Sequence, residues 1–202
     1  MSAAMHREAG HLRRPTGFTL VEMLVTIGVF ALVIMVTSGI LMTSRRIHSS
    51  TTHRADVQAS SRQAMSLMTA EIRQAGADPS EPPAGITALV TADSATIHIR
   101  SDLNGDGAIQ TTEPSEDVTY QYNAGTGTIT RNPGSGAVIV LDHVTDMKLS
   151  YFDENGNPLT TLPLSASDAA LVRSVGLTMT CAEGDAQPLT LTTRIGLRNL
   201  IQ

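Results

Sequence analysis

The sequence predicts an α+β chain: a long N-terminal α-helix, apolar in its first half and amphipathic in its second, packed on an antiparallel β-sheet domain. Three observations predict it. Residues 18–42 form a nearly unbroken apolar run. Met65, Met68 and Ile72 recur at helical spacing just ahead of a Pro/Gly-rich stretch. Beyond that stretch, apolar and polar residues alternate with period two.

The elements follow in chain order. Residues 1–17 are polar and basic, with Arg7, Arg13 and Arg14 against Glu8. Residues 18–42 are long enough to cross a bilayer with some tilt, and Glu22 is the one charge among them. Residues 43–77 contain no proline, so the helix is expected to continue as an amphipathic stalk. Ala64 and Leu67 lie beside its methionine stripe, and the helix is expected to stop near Ala75, before Gly76 and Pro79.

Residues 78–202 read as the sheet domain, entered through "GADPSEPPAG" at 76–85. Val175, Leu177, Met179 and Cys181 alternate with Gly176, Thr178 and Thr180. Leu189, Leu191, Ile195 and Leu197 alternate with Thr190, Thr192, Arg194 and Gly196. Val118, Tyr120 and Tyr122 share a face opposite Thr119 and Gln121. Such strands bury one face and wet the other, as antiparallel sheets do. "NAGTG" at 123–127, "NPGSG" at 132–136 and "ENGNP" at 154–158 supply turns between them.

The 202 residues carry a formal net charge of −5, which argues against a nucleic-acid partner. The single cysteine, Cys181, excludes an internal disulfide and a cysteine-based metal site; its place on an apolar strand face predicts a buried thiol. The histidines show no metal-ligand spacing, and no nucleophile elbow, phosphate loop or paired catalytic acids stand out. An enzyme is not expected.

A carboxylate inside an apolar run is costly and calls for a role. A secretory signal is cut after its apolar segment, whereas the boundary here lies before it, where the basic leader meets Gly17. "GFTLVEMLV" (17–25) resembles the N-terminal signature of type IV pilins and of the pseudopilins of type II secretion. The resemblance implies a pilin-like fold, cleavage between Gly17 and Phe18 by a prepilin peptidase, and methylation of the new Phe18 amine. Glu22 becomes the fifth residue of the mature chain. There its carboxylate can pair with the Phe18 amine of a neighbouring subunit and favour axial register, because an unpaired buried charge is so unfavourable. Otherwise Glu22 is a glutamate near the headgroups with no part in assembly. Arg13 and Arg14 favour a cytoplasmic leader, weakly opposed by Arg45 and Arg46, which places the sheet domain outside the inner membrane.

"SSRQAMSLMTAEIRQAGADP" (60–79) looks like the helix end of PilW-type minor pilins, in which an acidic residue and R-x-A-G close the stalk. "GTITRN" and "RIGLRNL" are similar to segments of the same proteins. J-type pseudopilins share the stalk pattern, while K-type pseudopilins usually lack the glutamate. The C-terminal cysteine pair of many major pilins is absent, which favours a minor subunit. The resemblance thus implies a minor pilin that joins or initiates a type IV pilus, with other major and minor pilins and the prepilin peptidase/methyltransferase as partners. It implies an inner-membrane protein with a periplasmic domain that later enters a surface fibre. A J-type pseudopilin, or a tip adhesin or sensor module, is the alternative.

One stretch has the pattern of a cation loop. "DLNGDGAIQTTE" (102–113) places Asp102, Asn104 and Asp106 at positions one, three and five of a twelve-residue calcium loop. Gly107 takes the sharp turn, Ala108 offers a carbonyl, Gln110 or water a further oxygen, and Glu113 the closing carboxylate. Glu116 or Asp117 could replace Glu113. The flanks "TIHIR" and "EDVTYQY" read as strands, so calcium here would join two strands rather than work a helix pair. The same residues also suit a solvated turn. "DENGN" (153–157) reads as an ordinary hairpin turn.

Overall fold

The computed structural model describes residues 17–113, 115–184 and 187–200, with backbone alone at 43–54 and 200. The leader expected over 1–17 lies outside these residues except for Gly17, as do the side chains of Arg45 and Arg46. Helix α1 runs unbroken over Leu20–Gln74, through two compact units, Met1–His48 and Ser49–Gln202.

Over 20–42 the helix is apolar on every side but for Glu22 and a few small polar residues. Leu20–Met42, 23 residues, is long and apolar enough to span a bilayer. Two of its threonines bond back to the helix itself. The Thr26 hydroxyl donates to the Glu22 carbonyl, and that of Thr37 to the Val33 carbonyl at 2.8 Å. Such back-bonding lets threonine sit in an apolar helix without a stray donor.

In the second unit α1 becomes one-sided. Ala64, Met68, Ile72 and Ala75 are buried, while Leu67 of the same turns is exposed. The helix ends where Gly76 takes φ 76°, the left-handed conformation that suits glycine past a helix end. The Gly76 N–H then donates to the Arg100 carbonyl at 2.8 Å, which ties the chain to the sheet as the helix stops.

Among the described residues two antiparallel sheets follow. The first is a five-stranded meander of β1 (Leu89–Ala92), β2 (Thr96–Arg100), β3 (Asp117–Asn123), β4 (Thr128–Asn132) and β5 (Val138–Leu141). The second contains β6 (Val144–Phe152), β7 (Pro158–Leu159), β8 (Ser174–Cys181) and β9 (Leu189–Gly196), in the order β7-β6-β8-β9. A short helix, α2 (Ala166–Leu171), lies between β7 and β8.

The alternation read in the sequence sets the faces. Val175, Leu177, Met179 and Cys181 are buried, as are Ile97, Ile99, Val118, Tyr120 and Ile129 of the first sheet. They join the buried face of α1 in one hydrophobic core. The sheets are also sewn together by polar contacts: Leu149 N–H donates to Ser94 O at 2.8 Å, and the Tyr151 hydroxyl to Asp93 O at 2.9 Å. The turns fall at 123–127, 132–136 and 153–157. In the last, the Asp153 carboxylate accepts the N–H groups of Asn155 and Asn157 at 2.9 and 2.7 Å.

Candidate functional site

The helix N-terminus positions the residues of the expected processing site. Gly17 and Phe18 precede the helix, and the Phe18 ring is 78% exposed. Thr19 is its cap. The Thr19 Oγ1 accepts the Glu22 N–H at 3.3 Å, and the Glu22 carboxylate reaches back toward the Thr19 N–H at 3.5 Å. This is a capping box, in which Thr and Glu three apart satisfy each other's backbone donors at a helix start. The sequence held the signal in Thr19-x-x-Glu22 ahead of an apolar run, and the reading of Glu22 above missed it. The pair prepares the site chemically: it starts a helix immediately after Phe18 and holds a carboxylate one turn from the backbone N–H groups of the helix end.

The acid in the stalk-end pattern is Glu71, and it is 8% exposed at the centre of a polar cluster. Arg131 of β4 donates from Nη2 to Oε1 at 2.6 Å and from Nε to Oε2 at 3.0 Å. The Tyr120 hydroxyl also donates to Oε2, and Ser115 Oγ to Oε1 at 2.9 Å. Arg131 Nη2 in turn donates to Ser115 Oγ at 2.9 Å. Ser115 has φ 87°, a conformation costly for a residue with a side chain, and its hydroxyl is held between the two charged groups. Burial pushes the Glu71 carboxyl up, but Arg131, Tyr120 and Ser115 outweigh it and hold the group below the usual glutamate range. Burial and the same carboxylate push the Tyr120 hydroxyl far up, and Glu71 raises Arg131. The result is a charged clamp between α1 and the first sheet.

The expected cation loop is drawn together in part. Asp102 is fully buried, and its two oxygens accept the Gly105 and Gly107 N–H groups at 2.7 and 2.8 Å. Gly107 has φ 78°, as the sharp turn requires. Asn104 Oδ1 accepts the Asp106 N–H at 3.0 Å, and Asp106 Oδ1 the Ala108 N–H at 2.9 Å. Asp106 Oδ2 receives the amides of Asn104 and Gln110. Glu113, however, is exposed. The carboxylate turned into the loop is that of Glu116, 1% exposed, which accepts the N–H groups of Leu103, Asn104 and Gln110. Among the described residues no three His, Cys, Asp or Glu side chains converge to hold a metal ion. Backbone amides donate to both buried carboxylates, those of Asp102 and Glu116.

Cys181 is a free, buried thiol pushed up by burial, which suits an inert core residue.

A capped helix, apolar in its first half and with an acid in its first turn, leading into antiparallel sheets, defines an α+β arrangement consistent with a pilin-like fold. Residues 12–38 match the family described as the prokaryotic N-terminal methylation motif, the signature of type IV pilins and pseudopilins. The motif implies processing by a prepilin peptidase and assembly with other pilins. A search of curated proteins found no match.

Proposed function

We propose that this chain is a minor pilin, an assembly-initiating or tip-proximal subunit of a type IV pilus, rather than an enzyme. The methylation motif carries this reading, with Glu22 held one turn from the expected Phe18 amine. Before assembly the apolar helix lies in the inner membrane and the sheet unit in the periplasm; afterwards both belong to the fibre. Exposed apolar side chains along 18–42 support a helix that exchanges lipid for neighbouring helices.

The test has two stages. Mass spectrometry of the purified membrane form is expected to show an N-terminus at methylated Phe18; a start near Gly39, after the apolar run, overturns the pilin reading. Sheared fibres and secreted proteins are then compared in a strain lacking the chain. Loss of fibres supports the minor pilin. Intact fibres with a secretion defect point to the J-type pseudopilin instead, and intact fibres with lost surface adhesion to a tip adhesin.

We propose further that Asp102–Glu113 responds to calcium. The Asp102, Asn104 and Asp106 spacing and the left-handed Gly107 support this. Calcium would be held by Asp102, Asn104, Asp106, the Ala108 carbonyl and Gln110, and Glu113 would have to turn inward to join them.

A further inference from the structure

The second unit has eight arginine and lysine side chains among the described residues, and half of them are engaged. Arg100 and Arg131 pair with Asp117 and Glu71. Arg173 donates to the Ala170 and Val172 carbonyls. Arg194 lies 4.0 Å from the centre of the Phe152 ring, and its Nε donates to Ser174 Oγ at 3.0 Å. The other four, Arg62, Arg73, Lys148 and Arg198, have no hydrogen-bond or ion-pair partner among the described residues. Two of these four, Arg73 and Arg198, line one groove.

The groove, of about 660 Å³, is built from the end of α1, the chain just beyond it and the 3-10 turn Arg198–Leu200. Arg73 comes from the stalk-end pattern and Arg198 from the "RIGLRNL" segment. Asn199 Nδ2 donates to the Gln74 carbonyl at 3.2 Å, which holds these segments together across 125 residues. Ala70, Ala77, Pro79 and Leu103 give the groove apolar surface, and Leu103 is exposed. Two acids also line it, but both are turned to other donors. Asp78 accepts the Ser80 hydroxyl and the Gly85 N–H, and buried Asp102 the Gly105 and Gly107 N–H groups. Neither carboxylate lies within ion-pair reach of Arg73 or Arg198.

We propose that this groove docks an acidic peptide segment of a neighbouring subunit, with its carboxylate held by Arg73 and Arg198. Guanidinium groups bind carboxylates through paired N–H donors. The apolar surface suits the methylene stem of an Asp or Glu, and the side-chain amides of Gln74 and Asn199 suit the backbone of an extended peptide. A phosphate group fits less well, because its second charge would meet Asp78 and Asp102 in the same lining. That the partner is a subunit rests on the assembly with other pilins that the methylation motif implies. Groove and segment are different surfaces, so the contact is heterologous. It therefore lets every subunit point the same way, as one membrane and one polar fibre require. Exposed charges of this kind are screened by salt and set partner choice and register more than affinity.

The test puts an amine in the groove and couples it to the carboxylate lying against it. Arg73→Lys and Arg198→Lys are made in the full-length chain. Membranes and sheared fibres are then treated with a water-soluble carbodiimide, which joins an amine to a carboxylate in contact with it. Both variants are expected to form an amide link to an Asp or Glu of another protein chain, located by mass spectrometry and reduced several-fold by high salt. Exposed Lys148 on β6 and Arg62→Lys on the exposed side of α1 set the background. Arg73→Gln/Arg198→Lys should link several-fold less than Arg198→Lys, since one of the two holding groups is gone. Circular dichroism melts of all variants should match the parent, as exposed positions allow. Failure of both lysine variants to link above the background overturns the proposal, as does a link confined to acids of the same molecule. A link to an acidic polysaccharide overturns it too, by giving the groove a different occupant. A chain missing from sheared fibres counts against the pilus reading alone, because the membrane fraction still decides the groove.

Discussion

Arg131 on β4 grips Glu71 on α1 through two nitrogens, Nη2 at 2.6 Å and Nε at 3.0 Å, with both side chains largely shielded from water. Removing one partner of such a pair strands the other as a buried charge. Glu71→Ala is therefore expected to cost about 3–5 kcal/mol. Glu71→Ala/Arg131→Met should recover much of that loss, since the stranded charge goes too. Urea unfolding of the Ser49–Gln202 unit measures both; equal stability of Glu71→Ala and the parent would mean the pair is not formed.

The same carboxylate makes stability depend on pH. Its folded pKa is lowered, so the unfolded chain binds the proton more readily. The contribution is fully present above the ordinary glutamate range. It is lost as pH falls through that range and down through the lowered folded value. Unfolding midpoints between pH 7 and pH 3 should fall more steeply for the parent than for Glu71→Gln. Parallel curves would remove Glu71 from the acid response.

The second half of α1 supplies the core face formed by Ala64, Met68, Ile72 and Ala75, besides Glu71. A fragment of residues 49–202 is expected to unfold cooperatively and stay soluble. A fragment beginning at Ala77 bares the apolar face of both sheets and should aggregate. Met68→Ala in the longer fragment should cost about 2–5 kcal/mol, as fully buried side chains do. A cooperative melt from the shorter fragment would show that the sheets do not need the helix.

Thr19 and Glu22 share one structural task, but only Glu22 carries a charge. Thr19→Ala removes the cap hydroxyl and is expected to cost about 0.5–2 kcal/mol of local helix stability while leaving incorporation into fibres measurable. Glu22→Val should leave membrane insertion and cleavage intact, because insertion gains when a charge is lost, yet it should reduce incorporation severely. Immunoblots of sheared fibres separate the two. Equal, mild effects of both changes would make Glu22 a cap residue alone.

Calcium is expected to raise the thermal midpoint of the 49–202 fragment, with an affinity on the order of 10⁻⁴–10⁻³ M, as in extracellular modules. At about 100 times the dissociation constant the gain is roughly 2.7 kcal/mol. Glu113→Ala should abolish the gain. Asp102→Ala should do so too, while also destabilising the calcium-free fragment, because the Gly105 and Gly107 N–H groups lose their acceptor. Identical midpoints with calcium and chelator would leave Glu116 and the backbone amides as the loop's whole support.

Local signals made the long elements legible. Apolar spacing in α1, the stop at Gly76 and the period-two alternation of β8 are properties of neighbouring residues, and they appear where read. The glycine-rich turns and the buried Cys181 were legible for the same reason. What joined distant parts was not. Glu71 was visible as the acid of a stalk-end pattern, but its partners lie 44, 49 and 60 residues further on at Ser115, Tyr120 and Arg131. No spacing rule links them; they meet because β3 and β4 pack against that turn of the helix. Likewise the loop pattern marked Asp102 and Glu113 alike, yet tertiary packing buried Asp102, left Glu113 in water and turned Glu116 inward. Sequence alone determined where the helix and strands form, because hydrophobic periodicity acts along the chain. The tertiary structure decided which carboxylates became buried, because desolvation and its compensating donors depend on what folds around them.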